Sequence, residues 1–189
     1  DGFKGPIYTT AATCDLLAIM LEDSAHIQAE DAEYWNRKRV KQGDAPIEPL
    51  YDLKDVEATI DLLEPVRLDQ PVAIGKGVWL TLQEAGHMLG SATVLIDLDT
   101  PTGVRTSVVF SGDLGRPAQA IIRDPAKLPP ADYAICESTY GGRETPTSEK
   151  LDEQFAEIIN RTIDRGGKLI LPAFAVGRTQ AVVYLYHPL

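Results

Sequence analysis

Apolar and polar positions follow a helical period in the first part of the chain. Residues 14–42 contain neither glycine nor proline and are rich in helix-forming residues, which predicts a helix with Thr13 as its N-cap. A stretch of this length is expected to break near Asp23–Ser24 into two helices. Asp52 is predicted to cap a further short helix that extends through Leu63, with an acidic residue three positions later as a weak capping box.

The middle of the chain changes to short segments that are rich in β-branched and aromatic residues, as expected for strands. Turn-forming residues separate these segments, and the sequence TPTG at 100–103 predicts that the second and third strands form a hairpin. The predicted strands are GVWLTL at 77–82, ATVLIDL at 92–98, RTSVVF at 105–110 and ADYAICEST at 131–139.

A helical period returns near residue 151 and predicts one helix with an apolar face, which ends at Gly166–Gly167. The sequence KLILPAF at 168–174 predicts a strand, and a last helix is expected from Gly177 onward. Clustered strands followed by alternating helices and strands predict a layered α/β (α+β) fold whose loops carry the chemistry. The predicted apolar face consists of Leu151, Phe155, Ile158, Ile159, Thr162 and Ile163.

The composition is that of a globular protein and narrows the classes of function. No apolar segment approaches the roughly 20 residues of a membrane-spanning helix, and no signal-peptide pattern is present, so we expect a cytoplasmic protein that does not bind membranes. Cys14 and Cys136 are too few and too far apart to predict a disulfide framework or a cysteine-rich zinc site. The net charge of −10 argues against a broad basic face for nucleic acid, although bound metal ions can supply positive charge locally.

His87 lies in a glycine-rich loop between two predicted strands, in the sequence AGHMLGSA at 85–92. Gly86 and Gly90 allow sharp backbone turns on either side of it. A histidine on such a loop is either a metal ligand or, more often, a structural residue that makes hydrogen bonds. The loop sequence alone leaves both interpretations open.

Asp113 directly follows a predicted strand and lies between Gly112 and Gly115. In one interpretation, its carboxylate caps a turn by accepting hydrogen bonds from nearby backbone N–H groups. In the other, the carboxylate lies at the mouth of the sheet and bridges two divalent cations, because each of its oxygens can bind one metal.

Glu137 stands near the end of the fourth predicted strand and is followed by Ser138 and Thr139. These residues form either an ordinary strand exit with a capping hydroxyl, or an acid that orients a proton-transferring group beside hydroxyls that face a phosphate.

Arg178 stands at the start of a predicted helix, where an anion is favoured. A structural ion pair is an equally open role for Arg178.

The other candidates have simpler interpretations. His26 and His187 show no ligand spacing, and we expect neither to take part in a site. The basic sequence NRKRVKQ at 36–42 is predicted to be the solvated side of a helix, with contact to an RNA backbone as the less favoured alternative.

Four motifs, in this order and spacing, resemble the β-CASP branch of the metallo-β-lactamase superfamily, which contains RNA- and DNA-processing nucleases. The opening sequence at 2–38 is similar to that branch as well, so the resemblance covers essentially the whole chain. One such motif alone is only suggestive, whereas four in order are specific, and ESTYG and GRTQ favour nucleases over lactamase or thioesterase relatives. The motifs are AGHMLGSA, FSGDLGR, ESTYGGR and PAFAVGRTQ.

The resemblance implies a partial metallo-β-lactamase αβ/βα sandwich over residues 1–143, followed by the start of a β-CASP cap domain over residues 144–189. It also implies that His87 is a ligand of one of two zinc ions and that Asp113 bridges both. Glu137 would be catalytic together with Asp113, since in the family this acid pairs with a later histidine that helps to protonate the leaving group. The implied substrate contacts are Ser138, Thr139 and Arg178.

The expected function is therefore that of a zinc-dependent hydrolase that cleaves RNA phosphodiester bonds as an endo- or 5′-exonuclease. The family's densest metal motif, H-x-H-x-D-H, does not occur in this sequence, and a zinc ion needs about three or four protein ligands. We expect an internal fragment with a half-built site, which binds zinc weakly and shows no turnover by itself. RNA is the expected partner; cleavage of single-stranded DNA and homodimer formation stay open.

Two alternative functions would involve chemistry other than the cleavage of RNA. The first is a non-nucleolytic hydrolase of the same metallo-β-lactamase fold that acts on a lactone or thioester. The second is a metal-free scaffold subunit that binds RNA or a nuclease partner. The motifs around His87 and Asp113 argue mildly against a scaffold, and the cap-domain motifs argue against a lactone or thioester hydrolase.

Overall fold

A computed structural model describes residues 2–143 and 151–186 of the chain. Seven strands and four helices are present within these residues. In chain order they are β1 (Ile7–Thr9), α1 (Ala11–Gln42), α2 (Leu53–Ile60), β2 (Leu63–Pro65), β3 (Val72–Gly75), β4 (Val78–Glu84), β5 (Ala92–Asp99), β6 (Arg105–Phe110), β7 (Tyr133–Ile135), α3 (Leu151–Asp164) and α4 (Arg178–Tyr186).

Helix α1 is continuous over its 32 residues, so the predicted break near Asp23–Ser24 is wrong. Neither residue removes a backbone N–H group or requires a positive φ, and weak helix propensity alone does not end a helix. The N-cap is Thr10 and not Thr13: Thr10 is extended, and its hydroxyl accepts a hydrogen bond from the Thr13 backbone N–H. Gly43, at a φ of 78°, ends the helix.

Helix α2 confirms the predicted capping box at Asp52, in which Asp55 reciprocates the hydrogen bond. The helix ends at Ile60, earlier than predicted, because the chain turns there into β2, which pairs in parallel with β1. Helix α1 packs against α2 and β2. The buried residues of the two helices are Ala25, Ala32 and Val56.

The larger sheet has five strands in the order β3-β4-β5-β6-β7, antiparallel except for the parallel pair β6-β7. The predicted strands β4, β5 and β6 and the hairpin between β5 and β6 are confirmed. Strand β7 is only three residues long, shorter than predicted, and β3 was not predicted from the sequence. Leu80 and Leu82 are buried on one face of the sheet, and Val109 is buried on the other face.

The last described part contains α3 and α4, which confirms both predicted helices. The strand predicted at 168–174 is wrong, since these residues form no strand hydrogen bonds with any described residue. An apolar sequence becomes a strand only when a second strand pairs with it. Ile170 and Phe174 are 86% and 80% exposed here.

The fold class is α+β, as predicted, and its helices and mixed sheets are consistent with a partial metallo-β-lactamase fold. The predicted domain boundary falls at residues 144–150, which lie outside the described residues, so the division into two domains stays a prediction. None of the helices in the described ranges has the length and apolar character that crossing a membrane requires.

Candidate functional site

Three loops that carry the predicted site residues meet at one edge of the five-stranded sheet. The loop between β4 and β5 carries His87, the segment after β6 carries Asp113, and the segment after β7 carries Glu137. Because β4, β5 and β6 are antiparallel neighbours and β7 runs parallel to β6, the ends of β4, β6 and β7 lie at the same edge. The topology therefore brings together residues that are up to 50 positions apart.

His87 and Asp113 are close to each other and open to solvent. The Nε2 atom of His87 lies 3.9 Å from the Oδ2 atom of Asp113, and the two side chains are 46% and 77% exposed. A zinc ion bound at about 2.0–2.2 Å from each atom could join a pair separated by up to roughly 4.3 Å. The structure thus places both groups within reach of one ion, while their role as ligands stays a prediction.

Two glycines allow the His87 and Asp113 loops to approach this closely. A Cβ atom on Gly115 would lie 1.5 Å from the backbone oxygen of Gly86, so no larger residue fits at this crossing. The Gly115 N–H group donates to the oxygen of Ala85 at 2.8 Å, which joins the two loops directly. Gly86 itself has a φ of +64° and faces the backbone of Pro125.

The His87 loop is fixed by three hydroxyl groups. The Ser91 Oγ atom accepts hydrogen bonds from the backbone N–H groups of His87 and Met88, both at 3.1 Å. The hydroxyls of Thr10 and Thr13, in the first turn of α1, donate to the oxygen of Gly90 at 2.8 and 3.0 Å. The backbone on which the imidazole stands is therefore held in place by the loop itself and by the start of α1.

The Asp113 loop is fixed to the end of β7 by two hydrogen bonds. The Leu114 N–H group donates to the Glu137 carboxylate at 2.6 Å. The Glu137 N–H group donates to the Ser111 Oγ atom at 3.0 Å, and Ser111 is only 2% exposed. Glu137 thus holds the loop on which Asp113 stands.

The same contacts determine the ionisation of Glu137. Hydrogen bonding from the Leu114 N–H group, then from the Thr139 hydroxyl, holds the pKa of Glu137 below its ordinary value, and a nearby charge on His87 acts in the same direction. Glu137 therefore remains a carboxylate under conditions in which an ordinary glutamate begins to take up a proton. This favours an orienting group over a proton donor.

The three residues predicted to contact substrate are exposed near this edge of the sheet, and one of them already makes a hydrogen bond within the site. Ser138 and Thr139 are exposed in the turn after β7, although the Thr139 hydroxyl is directed to Glu137. Arg178 is exposed at the start of α4. The preceding Gly177 lies beside Met88, since a Cβ atom there would be 3.9 Å from the Met88 Cβ, so the α4 N-terminus adjoins the His87 loop.

The described residues contain no group of three or more His, Cys, Asp or Glu side chains that could hold a metal ion. His87 and Asp113 fit a metal as part of a ligand set, but two groups do not complete one.

His26, predicted to have no role, is paired within α1, with its Nδ1 atom 2.8 Å from the oxygen of Glu22. His187 lies outside the described residues.

Sequence reasoning assigned no supporting role at the site to the residues that hold its loops. Ser91, Ser111 and the pair of threonines that begin α1 all bond to the backbone of the site loops. The available signal was a small hydroxyl residue beside a glycine at a strand end, as in GSA at 90–92 and FSG at 110–112. Such sequences are also common in ordinary turns.

The chain is similar over nearly its full length to three curated proteins. It is 32% identical over 187 residues to ribonuclease TTHA0252 of Thermus thermophilus, which covers 99% of this chain and 38% of that protein. It is 33% identical over 184 residues to transcription termination factor FttA of Pyrococcus horikoshii, with 96% of this chain and 26% of the relative covered. It is 32% identical over 186 residues to endoribonuclease YSH1 of Yarrowia lipolytica, with 97% of this chain and 20% of the relative covered.

This chain resembles proteins named as ribonucleases. The similarity includes the strand ends that carry His87, Asp113 and Glu137, because the aligned regions leave out at most a few residues of the chain. The chain spans 38% or less of the length of each of these relatives. No family model matches the chain.

Proposed function

We propose that this chain is part of a β-CASP nuclease that cleaves RNA phosphodiester bonds with the help of two zinc ions. The observation that carries the proposal is the 3.9 Å approach of His87 to Asp113 at the edge where three site loops meet. The similarity to proteins named ribonuclease and endoribonuclease supports RNA as the substrate class. The motifs ESTYGGR and PAFAVGRTQ support the β-CASP branch.

The residues of this chain have distinct roles in the proposal. His87 and Asp113 would contribute ligand atoms, and the Asp113 carboxylate would contribute to both ions. When bound, two zinc ions supply a nucleophilic water near neutral pH and reduce the negative charge on the phosphate oxygens. Glu137 keeps the Asp113 loop in place through the Leu114 N–H group.

Substrate contacts come from the rim of the site. The Arg178 guanidinium and the N-terminus of α4 favour a phosphate group next to the His87 loop. The Ser138 hydroxyl lies exposed after β7, where it can donate to a phosphate oxygen. Positive charge concentrated at the metal ions and at Arg178 explains how a chain with a net charge of −10 accepts a polyanion.

The remaining zinc ligands belong to parts of a longer protein in this proposal. Its support is the share of the relatives covered, 38% or less, and the two ligand-type side chains at the site. The 189-residue chain is therefore expected to bind zinc weakly and to cleave no RNA. Isothermal titration calorimetry with Zn²⁺ measures this directly; tight binding of two ions per chain would show that the ligands have been assigned to the wrong residues.

The activity is tested on the full-length protein with a labelled single-stranded RNA. His87→Ala and Asp113→Ala should each abolish cleavage and lower the zinc content measured by atomic emission. His26→Ala and Asp61→Ala are matched controls, since they remove the same side chains from the surface of α1 and from the end of α2. Equal losses of zinc in the control variants and in the site variants would contradict the proposal.

The same protein preparation separates the alternative functions. A hydrolase of this fold that acts on lactones or thioesters would hydrolyse small esters and leave RNA intact. A metal-free scaffold subunit would bind RNA without zinc and without turnover. Zinc-dependent cleavage of RNA, with no turnover of the small esters, is the expected result.

A further inference from the structure

Three side chains near the C-terminal end of α1 form an exposed aromatic and cationic cluster. The rings of Tyr34 and Trp35 meet edge to face with centroids 5.5 Å apart. The Lys38 Nζ atom lies 4.4 Å from the Tyr34 ring centroid and 5.0 Å from that of Trp35, and it donates to the Tyr34 hydroxyl at 2.7 Å. Tyr34 and Trp35 nevertheless remain 47% and 50% exposed.

Further positive charge lies on the same side of the helix. Arg37, Lys38 and Lys41 follow Tyr34 by three, four and seven positions, so they share its face, whereas the acidic Glu30 and Asp31 lie one turn before it. Arg37 pairs with Glu33 at 3.8 Å, and this exposed ion pair is weak in water. The excess of positive charge is confined to residues 37–41, which contain four basic and no acidic side chains in a chain whose net charge is −10.

The opposite side of α1 is already occupied by the loop that follows the helix. The Asn36 side chain exchanges hydrogen bonds with the backbone of Ile47, at 2.8 Å and 2.7 Å. The Arg39 Nε atom donates to the oxygen of Ala45 at 2.7 Å. These contacts hold the loop on one side and leave the face of Tyr34 and Trp35 open.

We propose that this face binds single-stranded RNA outside the cleavage site. Exposed aromatic rings offer stacking surfaces for unpaired bases, and lysine and arginine beside them match the phosphate charge. Single-stranded RNA is favoured over a protein partner because Lys38 lies over both rings and further cationic groups follow them along the same face. We call the residues Tyr34, Trp35, Arg37, Lys38 and Lys41 the α1 patch.

The helix connects the α1 patch to the candidate site. The first turn of α1 binds the His87 loop through the Thr10 and Thr13 hydroxyls. At about 1.5 Å per residue, Tyr34 lies roughly 36 Å along the helix from Thr10. A bound strand could therefore contact the patch and the cleavage site at once, which would favour long substrates. This part of the inference rests on the proposed function.

The test measures binding of fluorescein-labelled oligouridine to the full-length protein by fluorescence anisotropy, in an Asp113→Ala background that prevents cleavage. The double variant Tyr34→Ala/Trp35→Ala should weaken binding about tenfold. The double variant Lys38→Ala/Lys41→Ala should also weaken binding, and it should lower the slope of log affinity against log salt by about 1.4. Binding of duplex RNA, whose bases are already stacked, should change little with the aromatic variant.

Matched controls are Tyr133→Ala, an exposed tyrosine on β7, and Lys54→Ala/Lys76→Ala, two exposed lysines away from α1. Circular dichroism establishes that each variant keeps its helix content. Unchanged affinity for oligouridine in both patch variants would overturn the inference.

RNA cleavage by the unsubstituted protein is measured alongside. If the protein cleaves no RNA but binds it through the patch, the proposed function fails and the α1 patch stands. If it cleaves RNA and the patch variants bind normally, only the further inference fails.

Discussion

The Leu114 backbone N–H group donates a hydrogen bond of 2.6 Å to the Glu137 carboxylate, so the loop of Asp113 is fixed to the end of β7. The family resemblance implies that Glu137 pairs with a later histidine that helps to protonate the leaving group, and in this chain Glu137 also holds the Asp113 loop. Together with the crossing of Gly86 and Gly115, this bond holds the backbones of the two loops close together, and the His87 and Asp113 side chains that they carry lie 3.9 Å apart.

Gly115→Ala should separate the two loops. The new Cβ atom would lie 1.5 Å from the Gly86 oxygen, and both clashing groups are backbone, so the loops must move apart. We expect the free energy of unfolding to fall by about 3 kcal/mol, at the upper end of what overpacking costs. Urea denaturation followed by circular dichroism measures the change.

The control for this variant is Gly75→Ala. A Cβ atom there would meet Val78 at an ordinary contact distance of 3.7 Å, so we expect a change of less than about 1 kcal/mol. Equal stability losses in both variants would contradict the close crossing of the site loops.

Ser111→Ala should weaken the attachment of β7 to the Asp113 loop. The substitution leaves the Glu137 N–H group without its hydroxyl acceptor at a nearly buried position, which costs about 1–3 kcal/mol. Ser24→Ala, on α1, removes a partly buried hydroxyl that accepts one long hydrogen bond from Gln28, at 3.3 Å, and it should change stability by less than about 0.5 kcal/mol. A Ser111 variant as stable as the Ser24 variant would refute this role.

Glu137→Gln should change how stability depends on pH. The pKa of Glu137 is lowered in the folded chain, first by the Leu114 N–H group. A carboxyl group of this kind stabilises the fold above its unfolded pKa, about 4.3, and this contribution is lost as the pH falls through the lower folded pKa. The stability difference between the unsubstituted chain and Glu137→Gln should therefore be largest near neutral pH and shrink in acid.

Denaturation with urea at a series of pH values measures this difference. Glu64→Gln, at an exposed position on β2, is the control. A difference for Glu137 that stays constant through the acid range would show that the carboxylate charge plays no part in holding the loop.

Arg178→Ala should raise the KM for RNA about tenfold, which corresponds to about 1.4 kcal/mol of binding free energy. The guanidinium stands at the start of α4, next to the His87 loop, where it can pair with a phosphate. Arg161→Ala, on α3, removes an arginine from a helix surface and serves as the control. Steady-state cleavage kinetics decide: an unchanged KM for Arg178→Ala would remove it from the substrate site.

Local sequence predicted much of this fold. The hairpin of β5 and β6, the capping box at Asp52 and the apolar period of α3 all depend on residues close together in the chain. The strand predicted at 168–174 was wrong because a strand depends on a partner that local sequence does not specify. The break predicted in α1 was wrong because the length of a helical segment does not by itself end the helix.

The sequence indicated which side chains could carry the chemistry of the candidate site, but not which residues hold their loops in place. His87, Asp113 and Glu137 stand beside glycines at strand ends, a pattern that directs attention to them. Ser111 and Ser91 act through backbone groups on neighbouring loops, and only the folded order of strands brings these together.

The most direct measurement is a crystal structure of the full-length protein with anomalous diffraction at the zinc absorption edge. We expect two zinc peaks, with one ion about 2.0–2.1 Å from a ring nitrogen of His87 and Asp113 carboxylate oxygens about 2.0–2.2 Å from both. Zinc bound elsewhere, with the His87 imidazole and the Asp113 carboxylate free, would contradict the account.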